Sequence, residues 1–285
     1  KDLNLLMAKS DKVNILKNKL RNDSFYKLDC VFDNFEKNKF ALIIYIYVVA
    51  GFSAIDVKLD LDLVIQAKES ILKAIDFANK INKPLVNSPF IIISCFSSEL
   101  IKIDLNLFEK VLRSSQKEGA DFFELHIDIS DLDIIKDQLL LVKQVFNSKP
   151  ISINISRDKF SNANIIELIK YFRSNITKDI IIEVDGSEES NNNDYNATLQ
   201  SISTADIIHK QLIKKEKAFR NIPILLSGGT NSLTCELAKE CNVDFNGITF
   251  GNYARIDFEE FTKAHSIKND LEIKNYIKKI KNFII

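Results

Sequence analysis

Two glycine turns late in the chain carry the residue types that hold an anion. Ser227-Gly228-Gly229-Thr230, with Asn231 next, follows the apolar run 224–226, and Gly251-Asn252 follows the run 247–250. Glycine lets backbone N–H groups approach an anion with no Cβ in the way, and a helix opening after such a turn adds its positive dipole end. Thr230 or Asn231 is placed to cap that helix. Either turn alone reads as a tight reversal. Two of them in successive units predict a phosphate-type site for a small anionic or phosphorylated ligand.

A second set of residues suits proton transfer. Glu124 and His126 alternate within one apolar run, so both project to the same side of a strand. With Asp185 they are the candidate acid–base residues. Asp56, Ser94, Asn154 and Glu183 also stand at the ends of apolar runs. The same side chains can equally make a hydrogen-bonded network inside the core. Lys58 has the chemistry of a Schiff-base lysine but the position of a surface one. No Ser–His–Asp set, nucleophile elbow or metal-ligand cluster is visible, so no metal is expected. Cys30, Cys95, Cys235 and Cys241 have no C-x-x-C spacing. They predict reduced thiols and neither a disulfide framework nor a zinc or iron–sulfur centre.

These residues are positioned by alternating short apolar runs and longer amphipathic ones. Strands are expected at 25–31, 54–57, 90–94, 122–127, 151–155, 180–184, 224–226 and 247–250. Helices are expected between them, at 35–50, 62–81, 106–118, 132–146 and 162–175, with a polar loop at 185–196 and a last pair of helices flanking the two glycine turns. Strand–helix alternation implies a parallel sheet, and eight units are the number that closes it. The expected fold is therefore a single-domain α/β protein, a (β/α)8 TIM barrel. An open doubly wound sheet would place its glycine-rich turn after the first strand, and here the glycine turns come last. In a barrel, phosphate sites commonly form from the loops after strands 7 and 8. Residues 1–24 are read as a polar helical extension beneath the barrel, 25–256 as the barrel, and 257–285 as a C-terminal helical extension.

Bulk properties exclude several classes. Lys and Arg number 39, as do Asp and Glu, so the chain is formally neutral and unlike a dedicated nucleic-acid binder. A local basic patch is still compatible with that total. The longest apolar run, 41–55, is broken by Gly51 and Ser53 and falls short of the roughly 20 residues a membrane helix needs. A cytoplasmic protein without membrane or nucleic-acid partners is expected.

The segments Leu-Ser-Gly-Gly-Thr-Asn from Leu226 to Asn231 and Gly-Ile-Thr-Phe-Gly-Asn-Tyr-Ala-Arg from Gly247 to Arg255 resemble the C-terminal region of the light-dependent period protein (LdpA) family. Ala-Gly-Phe-Ser-Ala-Ile-Asp-Val from Ala50 to Val57 is similar to an early segment of that family, as are Glu124-Leu125-His126 and Val184-Asp185-Gly186 to later ones. The resemblance implies a regulatory or ligand-sensing barrel linked to circadian timing and light response, with clock or signalling proteins as partners. It also implies a cysteine-rich iron–sulfur insert after the third strand. Here Cys95 passes to Leu105 without further cysteines, so no such cofactor is expected. The alternative reading is a phosphate-binding barrel enzyme of the isomerase, lyase or synthase class. It rests on the paired glycine turns and on Glu124, His126, Glu183 and Asp185 at the mouth.

Overall fold

The computed structural model describes residues 2–22, 25–31, 36–81, 85, 88–147, 149–187, 195–265, 270–282 and 284, with the backbone alone at 2–11, 37 and 235. The chain opens with α1 (Asp2–Arg21) and then alternates β1 (Phe25–Asp29), α2 (Lys37–Ala50), β2 (Ala54–Lys58), α3 (Leu61–Lys80) and β3 (Phe90–Phe96). After the short α4 (Ser97–Leu100) come α5 (Leu105–Glu118), β4 (Phe122–Ile127), α6 (Lys136–Val145), β5 (Ile151–Ser156), α7 (Asn162–Asn175), β6 (Ile180–Asp185) and α8 (Tyr195–Ile208). The chain then runs through β7 (Ile224–Ser227), α9 (Thr234–Glu240), β8 (Gly247–Phe250), α10 (Asn252–Ala264) and α11 (Asp270–Lys281).

All eight strands are parallel and form one closed barrel in sequence order, β8 returning to β1 with Phe25 opposite Gly247 and Leu28 opposite Phe250. The expected (β/α)8 TIM barrel is the observed fold. At the closing seam Gly247 lies against β1 so tightly that a Cβ would sit 2.0 Å from the Phe25 carbonyl oxygen.

Strand parity explains the packing. Tyr26, Leu28, Ile55, Val57, Ile91, Ile93, Phe123, Leu125, Ile153, Ile182, Leu226 and Ile248 belong to the main core, where the apolar faces of the outer helices cover the sheet. A separate cluster fills the lower barrel interior: Phe25, Ala54, Phe90, Ile92, Phe122, Ile181 and Leu225, joined from below by Leu16 and Leu20 of α1. α2 is apolar on nearly every face because α11 packs over it from outside. α11 is held there by the Tyr276 hydroxyl donating to Asp257 of α10 at 2.8 Å and by a stacked Phe261–Tyr276 pair with ring centroids 4.2 Å apart.

Several expected boundaries move. β1 ends at Asp29, where the carboxylate accepts from the Val31 N–H at 2.8 Å and turns the chain. The helix expected at 132–146 opens as a 3-10 turn, Leu132–Ile135, and α6 begins only at Lys136. α1 extends back to Asp2, and α10 runs through the 256/257 division between barrel and C-terminal extension. Of the polar loop expected at 185–196, residues 188–194 lie outside the described residues, and α8 starts at Tyr195. Cys30 and Cys95 are buried free thiols and Cys241 an exposed one; the Cys235 side chain lies outside the described set. No described helix is long and apolar enough to cross a membrane.

Candidate functional site

Above the apolar lower layer the barrel interior turns polar. Lys27 of β1, Asp56 of β2, Glu124 of β4 and Glu183 of β6 point inward and are completely buried. The Lys27 ammonium is the hub. Its Nζ lies 2.6 Å from Glu124 Oε1, 2.7 Å from Glu183 Oε2 and 3.3 Å from Asp56 Oδ2. The outer oxygens have neutral donors: Ser152 Oγ donates to Glu124 Oε2 at 2.7 Å, Asn154 Nδ2 to Glu183 Oε1 at 2.9 Å, and Thr249 Oγ1 to Glu183 Oε2 at 2.7 Å. His126 sits one step higher, with Nε2 3.3 Å from Glu124 Oε1 and 3.9 Å from Asp56 Oδ2. It is aligned as a hydrogen bond to neither, and Asp56 Oδ1 also lacks a partner.

Burial and charge act in opposition on these groups. Burial alone would depress the Lys27 ammonium, but Glu124, Glu183 and Asp56 outweigh it and hold its pKa well above the ordinary lysine value. Burial would also strip the His126 proton; the facing Asp56 and Glu124 carboxylates reverse that and raise its pKa well above the usual imidazole value. Glu124 falls well below the carboxylate range, because Lys27 and His126 overcome its burial. Glu183 is raised by burial and by the Glu124 charge. Asp56 is raised to about 7, burial and Glu124 prevailing over Lys27. With His126 charged, two cations face three carboxyl groups, and the cluster is neutral when Asp56 keeps its proton.

The mouth lies directly above. A pocket of about 150 Å³ is lined by Asp29, Phe96, His126, Asp185, Ser187, Ser227 to Thr230, Gly251, Asn252 and Tyr253. Gly228 and Gly229 have φ of +73° and +68°, the left-handed region that glycine enters without strain. A Cβ on Gly228 would lie 1.9 Å from Asp185 Oδ1. Opposite, α10 begins straight after Gly251 with no side-chain cap, so the first turn of a 13-residue helix borders the pocket with its positive dipole end. The two glycine turns and the start of α10 therefore border one cavity together with the carboxylates of Asp29 and Asp185. Their oxygens accept from Val31 N at 2.8 Å and Ser187 N at 3.0 Å.

Of the residues expected from sequence, Ser227, Gly228, Gly229, Thr230, Gly251 and Asn252 meet at this pocket with His126 and Asp185. Glu124 does not reach it and lies beneath, in the lysine cluster. Thr230 and Asn231 are not helix caps for an anion. The Thr230 hydroxyl turns inward to the Thr249 carbonyl, and Asn231 Oδ1 closes a turn on Leu233 N at 2.8 Å. The following helix, α9, starts only at Thr234. Lys58 is half-buried at the end of β2. Lys27 and Asp29 went unread, although the alternation Phe25-Tyr26-Lys27-Leu28-Asp29 puts both on the inward parity once Tyr26 and Leu28 are assigned to the outer core.

Asp56, Glu124 and His126 bring donor atoms within 4.8 Å of one another, the spacing a metal ion requires. Lys27 already bonds the Glu124 and Asp56 oxygens that an ion would need, so the residues present fit an ammonium and not a metal.

No protein-family model matches the chain, and no curated protein matches its sequence. Solved structures do share its fold. An aldolase designated QR15 is 12% identical with a TM-score of 0.56, covering 86% of this chain and 96% of its own. A putative deoxyribose-phosphate aldolase from Toxoplasma gondii is 11% identical with a TM-score of 0.54, covering 90% and 98%. Deoxyribose phosphate aldolase from Aeropyrum pernix is 10% identical with a TM-score of 0.52, covering 87% and 93%. At these identities the likeness is one of architecture, and by that architecture the chain is a (β/α)8 barrel.

Proposed function

We propose that this chain is a phosphate-binding barrel enzyme of the isomerase, lyase or synthase class, acting on a small phosphorylated substrate by acid–base chemistry. The observation that carries this reading is the meeting of His126 and Asp185 with both glycine turns around one open pocket. The phosphate rests on Gly228, Gly229 and the start of α10. His126, kept as imidazolium by the carboxylates below, donates a proton to a developing oxyanion, and Asp185 or Asp29 removes one from carbon or hydroxyl. Two carboxylates in an anion-binding pocket favour a substrate whose far end carries hydroxyl or carbonyl groups. The barrel aldolases sharing the fold, two of them named for a sugar phosphate, agree with this class.

Thermal-shift screening of short phosphorylated aldehydes, ketones and sugars tests the cradle. A compound at about 100 times its Kd should stabilise the fold by roughly 2.7 kcal/mol. Incubating the hits in deuterated water and following exchange beside the carbonyl by NMR tests turnover, which His126→Gln should slow by about 10²–10⁴. No shift with any phosphate compound would sink the site.

The second reading is the non-catalytic, ligand-sensing barrel that the sequence resemblance implies, with circadian and light-response partners. In its favour, Lys27, Glu124 and Glu183 are sealed from the pocket as a structural cluster would be. Ligand binding without turnover, together with an altered free-running period on gene deletion, would select it.

A further inference from the structure

The opposite end of the barrel holds a larger cavity, of about 420 Å³, between α1 and the N-terminal ends of β6 and β7. Its wall is apolar: Val13, Leu16 and Leu20 of α1 face Ile181 and Ile222. The rim is cationic. Lys17, Arg173, Lys178, Lys217 and Arg220 border the cavity against a single carboxylate, Asp179. This asymmetry stands out in a chain whose basic and acidic residues balance at 39 each. Arg173 is engaged, donating to the Lys178 carbonyl and lying over the Phe219 ring at 5.2 Å. Among the described residues, no ion pair forms at Lys17, Lys178, Lys217 or Arg220, although surface lysines elsewhere in the chain are paired at 2.6 Å, as in Lys170–Glu216 and Lys210–Asp206.

We propose that this cavity binds an amphiphilic anion, an apolar chain of moderate length ending in one carboxylate or phosphate. The volume falls within the range of about 300–1,000 Å³ typical of small-molecule sites. The tail replaces water against α1 and Ile181, and the headgroup meets the rim cations that form no ion pair among the described residues. Carboxylate and phosphate monoester share this chemistry and differ in headgroup charge, so the two are tested side by side. The site is independent of the mouth: Leu16, Leu20 and Ile181, which line it, belong to the apolar layer beneath the lysine cluster.

The test is calorimetric titration of the full chain with decanoate and with decyl phosphate, both below micelle formation. Decyltrimethylammonium, inorganic phosphate and a short single-stranded oligonucleotide serve as controls. Both amphiphilic anions should bind, weakening as salt rises, and the tighter one identifies the headgroup. The exposed pair Lys17→Glu/Arg220→Glu should lower both affinities at least tenfold, and Ala218→Trp, which places bulk at the rim, should do the same without touching charge. Circular dichroism confirms that both variants fold. Binding of neither anion, equal binding of the cationic amphiphile, or anion binding indifferent to both variants would overturn the proposal. So would inorganic phosphate or the oligonucleotide competing at the same site with equal affinity.

Discussion

Asp56→Asn tests the charge balance of the buried cluster most directly. The Asp56 carboxyl is completely buried, and its pKa rises from 3.8 to about 7. A raised carboxyl pKa means that the folded state binds the proton more tightly than the unfolded chain does. Its stabilising contribution is therefore full below the unfolded value and is lost as pH climbs through the folded one. Between those values the unfolded chain has released the proton and the folded one has not, so stability falls with a slope of about 1.4 kcal/mol per pH unit. Across the whole interval the loss is about 4 kcal/mol, a large share of the roughly 5–15 kcal/mol that holds a typical domain together. Asparagine occupies the same space, keeps an oxygen for the Lys27 ammonium and never ionises. The variant should match the native protein near pH 4, gain on it steadily up to about pH 7, and lead by a constant few kcal/mol beyond. Urea unfolding at matched ionic strength across that range reads the difference, in which groups common to both proteins cancel to first order. A difference that stays flat with pH, or a variant that loses ground as pH rises, would refute the assignment of the cluster's mobile proton to Asp56.

Three other perturbations probe the same architecture. Lys27→Met leaves Glu183 buried without a cation and Glu124 with His126 alone, and should cost about 3–5 kcal/mol in denaturant unfolding; adding Glu124→Gln and Glu183→Gln to the same chain should recover most of it. Gly228→Ala forces a side chain into the left-handed region and against Asp185, so it should lose more than about 1 kcal/mol and abolish any phosphate-induced thermal shift. Leu16→Ala opens a hole in the interior layer and should cost about 2–5 kcal/mol by chemical unfolding, whereas a loosely attached α1 would leave stability nearly unchanged.

The barrel was legible in the sequence because each strand is a short apolar run bounded by amphipathic helices, and eight such units leave few other ways to close. The meeting of the glycine turns was legible for a similar reason: they follow the last two strands, which are neighbours in a closed barrel and bring both turns to one pocket. The helix start after Ser227-Gly228-Gly229 was misplaced because Thr230 and Asn231 have good capping chemistry that the fold uses elsewhere, Thr230 on the Thr249 carbonyl and Asn231 on its own turn. Lys27 was overlooked because a lysine in a strand usually marks a solvent-facing position. The alternation from Phe25 to Asp29 puts it on the inward parity, but what makes an ammonium tolerable there is not local: Asp56, Glu124 and Glu183 converge on it from three other strands.

The arrangement of the interior itself bears on function. The lower interior holds an apolar cluster in which Phe25, Phe90, Phe122 and their neighbours pack against Leu16 and Leu20. One layer up, the same strands supply Lys27, Asp56, Glu124 and Glu183. Replacing a buried ion cluster by apolar side chains of similar volume is often neutral or stabilising by about 1–4 kcal/mol, so folding alone gives little reason to keep these four ionisable groups there. Their position gives one. The cluster lies beneath His126, whose ring is the one member that reaches the pocket, and its carboxylates are what raise the imidazole pKa well above its usual value against the effect of burial. If the cluster served stability, substituting its members to apolar residues in concert should leave the behaviour of His126 unimportant. If it serves the mouth, a repacked apolar layer should give a protein that folds at least as well, while the His126 imidazole titrates far lower by NMR and phosphate-dependent turnover disappears.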